Sequence, residues 1–337
     1  DMADTEIEAE GQYGALPDPV REGYEFFGWF TAPEGGVQIT SDSKVLVDSD
    51  HTLYAHWEDT VVASGLDGKE ENIIWTLHKT GELVFYGRGE LTRDGDAGWT
   101  DLRTQALSVT ISGQIDKIGD SGLFGLGHAV SISFGSDITS IGDKAFYLWM
   151  SLETIDIPEG VVSLGENCFG GCSKLRQIRL PDSLETIGSC AFGYQKESGG
   201  WNINTSCMAL ESITIPKNVK RIGSYAFSNS GVISVVDLSD CDWGYGAFEG
   251  CDRLKSANVN SAEDYMFNDC SALTDVVVDS GRIGQYAFSY CTALKNVTIS
   301  EGCSTVGDCA FIGCSALETI EIPRSAVYWG TDVFHFA

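Results

Sequence analysis

The sequence predicts a mainly β chain, a right-handed solenoid of about ten rungs preceded by a small, separate β module. Three observations carry this prediction. A line of about 23 residues recurs to the end of the chain. Within each line the last apolar residues alternate with polar ones, the period of a strand with one buried face. The first sixty residues lack the line and are instead crowded with aromatic residues, among them Tyr24, Phe26, Phe27, Trp29, Phe30, Tyr54 and Trp57.

The module comes first. Alternation in YEFFGWF (24–30) and TLYAHW (52–57) predicts two strands, with Gly35 and Gly36 as a turn. The string GQYGALPDPVREGYEFFGWFTAPEGG followed by DHTLYAHWE resembles the Listeria–Bacteroides repeat, also called the internalin B-repeat. That resemblance implies a small β-grasp-like fold over residues 1–58. Such modules carry a further upstream strand. Here it is expected to be missing, which would leave a sheet edge to be covered.

Alignment on a hexapeptide whose type ends in Ala-Phe starts the line at positions 118, 141, 164, 187, 222, 243, 262, 283, 306 and 329. Matched copies include IGSYAF (222–227), IGQYAF (283–288) and VGDCAF (306–311). The spacing of 35 between 187 and 222 is one period of 23 plus a 12-residue insertion. Each line continues as in CSALETIEIP (314–323), and the L-x-x-I-x-I spacing is the strand signature of leucine-rich repeats. Pro158, Pro181, Pro216 and Pro323 close their strands, since proline has no N–H for a ladder. The glycine at the second hexapeptide position is expected to make a tight turn.

One line cannot bury its own apolar side, but stacked lines can, which makes the product a solenoid. Phe124, Phe146, Phe169, Phe192, Phe227, Phe248, Phe267, Phe288, Phe311 and Phe334 are expected to form one column. The lines resemble the BspA-like leucine-rich-repeat family of bacterial surface proteins. The stretch IIWTLHKTGELVFYGRGELTR, with GWTDLRTQALSVTISGQIDKIG after it, resembles the segment that starts such domains. The expected division is a module at 1–58, capping hairpins at 59–105 and a leucine-rich-repeat solenoid at 106–337.

The formal net charge is −28, from 49 acidic against 21 basic residues. This speaks against nucleic acid, which is bound by clustered cations. No apolar stretch reaches the roughly 20 residues of a membrane span, so direct membrane insertion is not expected. The chain opens on DMADTEIEAE and closes in mid-pattern on TDVFHFA. It is therefore expected to be a piece of a longer protein whose targeting segments lie elsewhere. Tyr328, Trp329, Phe334 and Phe336 are expected to cap the last rung, unless another module does so.

Eleven cysteines invite a disulfide or metal reading. Six of them (Cys172, Cys207, Cys251, Cys270, Cys291 and Cys314) fall at one slot of the line, shared with Gly127, Ser230 and Trp149. A small, mildly apolar slot filled by buried free thiols is the expected reading. Disulfides and metal remain the alternatives, and there is no C-x-x-C pair. Trp149 is expected to pack on the small Gly127. None of His51, His56, His78, His128 and His335 sits in a metalloprotease motif or beside a nucleophile motif. DGDAG (94–98) is a faint calcium-loop echo without its bidentate Glu, and reads as a solvated turn. The residues advertise no cofactor and no enzyme.

What remains is surface. The outward strand positions include Thr154, Asp156, Gln177, Arg179, Ser212, Thr214, Asp237, Asn258, Asn296 and Thr298. Ten strands at about 4.8 Å each would make a polar face roughly 45 Å long. Val235 is read as outward together with Asp237. The insertion GYQKESGGWNIN (193–204) offers Trp201 as an exposed anchor, or as a lid on the solenoid edge. A monomer is expected, and the family resemblance implies a protein secreted or attached to the bacterial wall. It would adhere to an unknown host or microbial surface protein or glycan, or act as a structural spacer for other modules.

Overall fold

The computed structural model describes residues 11–21, 23–47, 49–67, 72–92, 98–194, 205–235 and 241–335. The chain divides into two compact units: Asp1–Ala63 with Thr76–Thr80, and Ser64–Trp75 with Gly81–Ala337. In the first, Tyr24–Phe30 is the central strand, antiparallel to Gln38–Ile39 on one side and Tyr54–Asp59 on the other. Phe26 meets Trp29 and Trp57 edge-on at 5.6 Å. Phe30 lies flat on His56 at 4.0 Å, while His56 Nε2 is 2.8 Å from the Ala32 carbonyl. The sheet has three strands and no fourth among the described residues, but an isolated antiparallel bridge from Gln12 to Lys44 lies upstream of them. Residues 11–14 run antiparallel to 41–45, with Tyr13 N–H donating to Ser43 O and Val45 N–H to Gly11 O. Tyr13 and Val45 are both buried by it.

The second unit is a β solenoid of about ten turns. Each full line contributes two short strands, and only the first type was expected. Three- and four-residue strands such as Thr154–Asp156, Gln177–Arg179 and Asn296–Ile299 form from the L-x-x-I-x-I segment. Two-residue strands form at the start of the hexapeptide: Ser140–Ile141, Ser163–Leu164, Thr186–Ile187, Arg221–Ile222 and Asp242–Trp243. All of these pair parallel and in register with the same positions one line away. The long strand Ser108–Ile118 belongs to both rows, pairing with Ser131–Ser133 at one end and Ser140–Ile141 at the other. Pairing continues from it to Glu82–Leu91, also parallel.

The aromatic column is built of nine rings, from Phe146 to Phe334. Successive centroids are 5.1 to 5.6 Å apart and nearly coplanar in orientation. Phe146 through Phe311 are fully buried. Phe124 is not a member. Leu123, fully buried, holds that position in the first line, and Phe124 stacks instead on Tyr147 at 5.4 Å. The hexapeptide from 118 ends on Leu, and the neighbouring Phe imitates it in sequence. Nor do the C-terminal aromatics cap the end. Tyr328–Trp329 pairs with Thr305–Val306 and Phe334 stacks on Phe311, so they form the last rung itself. Phe336 lies outside the described residues.

The hexapeptide glycines do not make the turn. Their φ is ordinary; the fourth position takes the left-handed conformation instead. Ser121, Lys144, Asn167, Cys190, Tyr225, Tyr265, Tyr286, Cys309 and Asp332 all have φ of 51° to 58°, and Gly246 has 60°. A non-glycine residue there sacrifices roughly 1–2 kcal/mol. Stacking offsets part of that: the Tyr265 ring lies 4.7 Å from Tyr245 and 4.8 Å from Tyr286. Carboxylates at the third position bind rung to rung. Asp120 accepts the Asp143 N–H at 2.9 Å, and Asp308 accepts the Thr331 N–H at 2.7 Å.

Candidate functional site

Outward strand residues from three successive rungs meet around a shallow depression of about 230 Å³. Its walls are Thr154, Asp156, Gln177, Arg179, Ser212 and Thr214, and Ile178 contributes to the lining between them. The parallel register sets Thr154 beside Gln177 and Asp156 beside Arg179. The next rung does not continue the ladder. Only a single bridge, Gln177 to Ser212, holds residues 212–214 to the strand Gln177–Arg179. A separate five-stranded sheet begins at Ser234–Val235 and runs through Ser256–Val259, Asp275–Val278 and Asn296–Ile299 to Thr319–Glu321. The depression therefore lies where one sheet ends and its neighbour strand diverges.

Six residues named from the sequence come together here. Asn258, Asn296 and Thr298 are exposed on the second sheet, apart from the depression. There Asn296 Nδ2 donates to Asp275 at 2.6 Å and Thr274 Oγ1 donates to its other oxygen at 2.5 Å. The Thr274 and Asn296 hydrogen bonds hold the Asp275 carboxyl below its ordinary range. Asp237 and Trp201 lie outside the described residues, as does most of DGDAG. On the next rung the backbone register sets Ser234, itself exposed, beside the exposed Ser256. This rung is one residue shorter between its cysteine slot and its strand. Ile178 was the residue sequence reasoning missed. It reads as an ordinary inward strand position, and only the divergence of residues 212–214 lets it line a surface.

Among these groove residues Arg179 is the cation. Its guanidinium makes no hydrogen bond or ion pair with any described residue, although Asp156 is its register partner. No group of three or more His, Cys, Asp or Glu side chains among the described residues is arranged to hold a metal. No helix among them is long and apolar enough to cross a membrane.

All eleven cysteines are free thiols. The shared slot has a purpose that its size alone does not express. Cys172, Cys207, Cys251, Cys270, Cys291 and Cys314 each donate S–H to the carbonyl of a column residue on the preceding rung, at 3.1 to 3.3 Å. Trp149 does the same with its indole N–H, to Leu123 O at 2.7 Å. In the seven rungs that carry Cys or Trp the slot thus holds a donor, which is what those two residue types share. In the first line its occupant is Leu126, not Gly127, so Trp149 does not rest on a glycine; it packs edge-on to Phe146 at 5.2 Å.

Burial pushes the Cys172, Cys251 and Cys314 thiols up to about 12, and raises Cys207, Cys270 and Cys291 well above the usual 9.0. Folding therefore favours the neutral thiol. Its stabilising effect is complete below about pH 9 and is lost as pH rises from there toward 12. Iodoacetamide at mildly alkaline pH is expected to leave these six unmodified in the folded protein and to alkylate all of them in denaturant, read by peptide mass spectrometry. Labelling of the six without denaturant would contradict the ladder.

A stacked β solenoid with a polar groove on its strand face is the architecture of a leucine-rich-repeat protein. This chain belongs to that class through the BspA type leucine-rich repeat region, which matches residues 103–205, 202–281 and 260–337 in six copies. Residues 1–56 match the Listeria-Bacteroides repeat domain. No curated protein matches the chain. Similar solved structures include the pneumococcal vaccine antigen PcpA, at 20% identity and TM-score 0.48, over 82% of this chain and 79% of that one. A leucine-rich repeat protein from Bacteroides ovatus is similar at 19% identity and TM-score 0.47, over 83% and 91%. A leucine rich cell surface protein from Faecalibacterium prausnitzii is similar at 19% identity and TM-score 0.33, over 78% and 96%.

Proposed function

We propose that this chain is a non-enzymatic adhesion module of a bacterial surface, secreted or wall-attached, that binds a host or microbial protein or glycan. The observation that carries the reading is the convergence of six exposed polar side chains from three rungs on one concave site, at the place where the sheet divides. The paired strands Thr154–Asp156 and Gln177–Arg179 supply four of the six polar residues from a fixed backbone, which limits the ordering that opposes binding. Membership of the BspA type family supports the surface setting. The solenoid as a plain spacer is the competing reading, and the small polar residues along the rest of the face favour it.

Beads coated with the protein separate the two. Replacing Thr154, Gln177, Arg179 and Thr214 together by Ala is expected to abolish adhesion to the target surface without moving the melting curve. Unchanged adhesion by the variant excludes the groove, and no adhesion by the parent protein leaves the spacer.

A further inference from the structure

We infer that the groove takes an acidic saccharide, a sugar carboxylate seated on Arg179 with the ring hydroxyls spanning the rungs on either side; this rests on the ligand-binding reading above. The charge argument comes first. The whole chain carries a formal −28, yet the cation of the groove stands exposed and unpaired. At the outward positions of the L-x-x-I-x-I strands in the other described rungs the side chains are Ser, Thr, Asn, Asp, Glu or Val, none of them cationic; the cations Arg221 and Arg282 stand in the other row of strands. A guanidinium left without a carboxylate in so acidic a protein offers its planar fork to one brought by a ligand.

The rest of the lining sets the class. Asp156 accepts hydrogen bonds only, Gln177 donates and accepts, and Thr154, Ser212 and Thr214 do either. This mixture suits a partner dense in hydroxyls, each of which both donates and accepts. An acidic peptide is the weaker fit. Peptides are held by apolar anchors seated in pockets, and Ile178 is the one apolar residue in the lining. Asp156 also fixes how the ligand lies. Its charge repels a carboxylate, so the acidic group is confined to the Arg179 side and a hydroxyl faces Asp156.

The test uses the full chain with a trigalacturonate, its carboxyl-reduced neutral counterpart, sialyllactose, lactose and a poly-glutamate peptide, by calorimetry at low and raised salt. Binding of at least one acidic sugar in preference to its neutral partner is expected. Arg179→Ala is expected to weaken it roughly tenfold or more, and Arg179→Lys to restore it only in part. Asp156→Asn is expected to tighten it and to reduce the discrimination against a misplaced carboxylate. Since the exposed Arg179 guanidinium has no hydrogen-bond or ion-pair partner among the described residues, its substitution is expected to leave the melting curve unchanged. Equal binding of acidic and neutral sugars, or preference for poly-glutamate, overturns the acidic-saccharide inference while the binding module stands. If no probe binds but coated beads still adhere through the groove, the inference alone fails. If the beads do not adhere either, both readings fail.

Discussion

Phe288→Ala is expected to destabilise the solenoid by about 3–5 kcal/mol. The ring is fully buried and stacked between Phe267 at 5.4 Å and Phe311 at 5.3 Å. Truncation removes its transfer free energy and leaves a hole that the flanking rungs cannot close. They are fixed in spacing by backbone bonds on both sides of the column, Phe288 N–H to Ala310 O and Phe267 N–H to Ala287 O. A solenoid is held together by contacts between neighbouring rungs, so a defect in the middle weakens both interfaces of one rung. Phe288→Leu is expected to cost less, because the chain already uses Leu123 in the same column. Denaturant unfolding followed by tryptophan fluorescence measures both. A midpoint for Phe288→Ala equal to that of the parent would remove the column as the source of stability.

The column was legible because its signal is redundant: an aromatic recurs every 19 to 23 residues and resumes after the single spacing of 35 that holds the insertion. The second row of strands was not. Two residues such as Thr186 and Ile187 are too few to show an alternation, and their pairing is fixed by the neighbouring rung rather than by local sequence. The errors in register share a cause. Where a line departs from consensus, a nearby residue of the right type can stand in for the true one, as Phe124 did for Leu123.

The candidate site was half legible. Alternation placed Thr154, Asp156, Gln177 and Arg179 outward, and the structure has them exposed. The concavity had no local signal. It depends on residues 212–214 leaving the ladder after a single bridge, which follows the 12-residue insertion and has no counterpart in the lines before it. The thiol slot was half legible too. Its occupants pointed to burial, and only the carbonyl facing each sulfur shows that donation is what Cys and Trp have in common.

Gly188→Ala is the second large effect, and its pattern separates two explanations of the same glycine. A glycine kept for a left-handed turn tolerates Asn better than Ala, since Asn visits that region most readily after glycine. Gly188 is not left-handed. A Cβ there would sit 2.5 Å from the Gly165 carbonyl carbon and 2.7 Å from the Glu166 nitrogen, all backbone of the rung below. Gly165 and Gly223 meet the adjacent rung's backbone at 2.4 Å in the same way. Relief would require separating two rungs that are joined by the Gly188 N–H to Leu164 O bond of 2.8 Å. The overpacking is expected to destabilise by about 1–3 kcal/mol for Ala and by more for the bulkier Asn. At Lys144, where φ is 55°, the order reverses and Lys144→Asn is expected to be neutral or stabilising. Thermal melts of the three variants decide it: Gly188→Asn melting above Gly188→Ala would return the glycine to the turn and undo the close stacking of rungs on which the column depends.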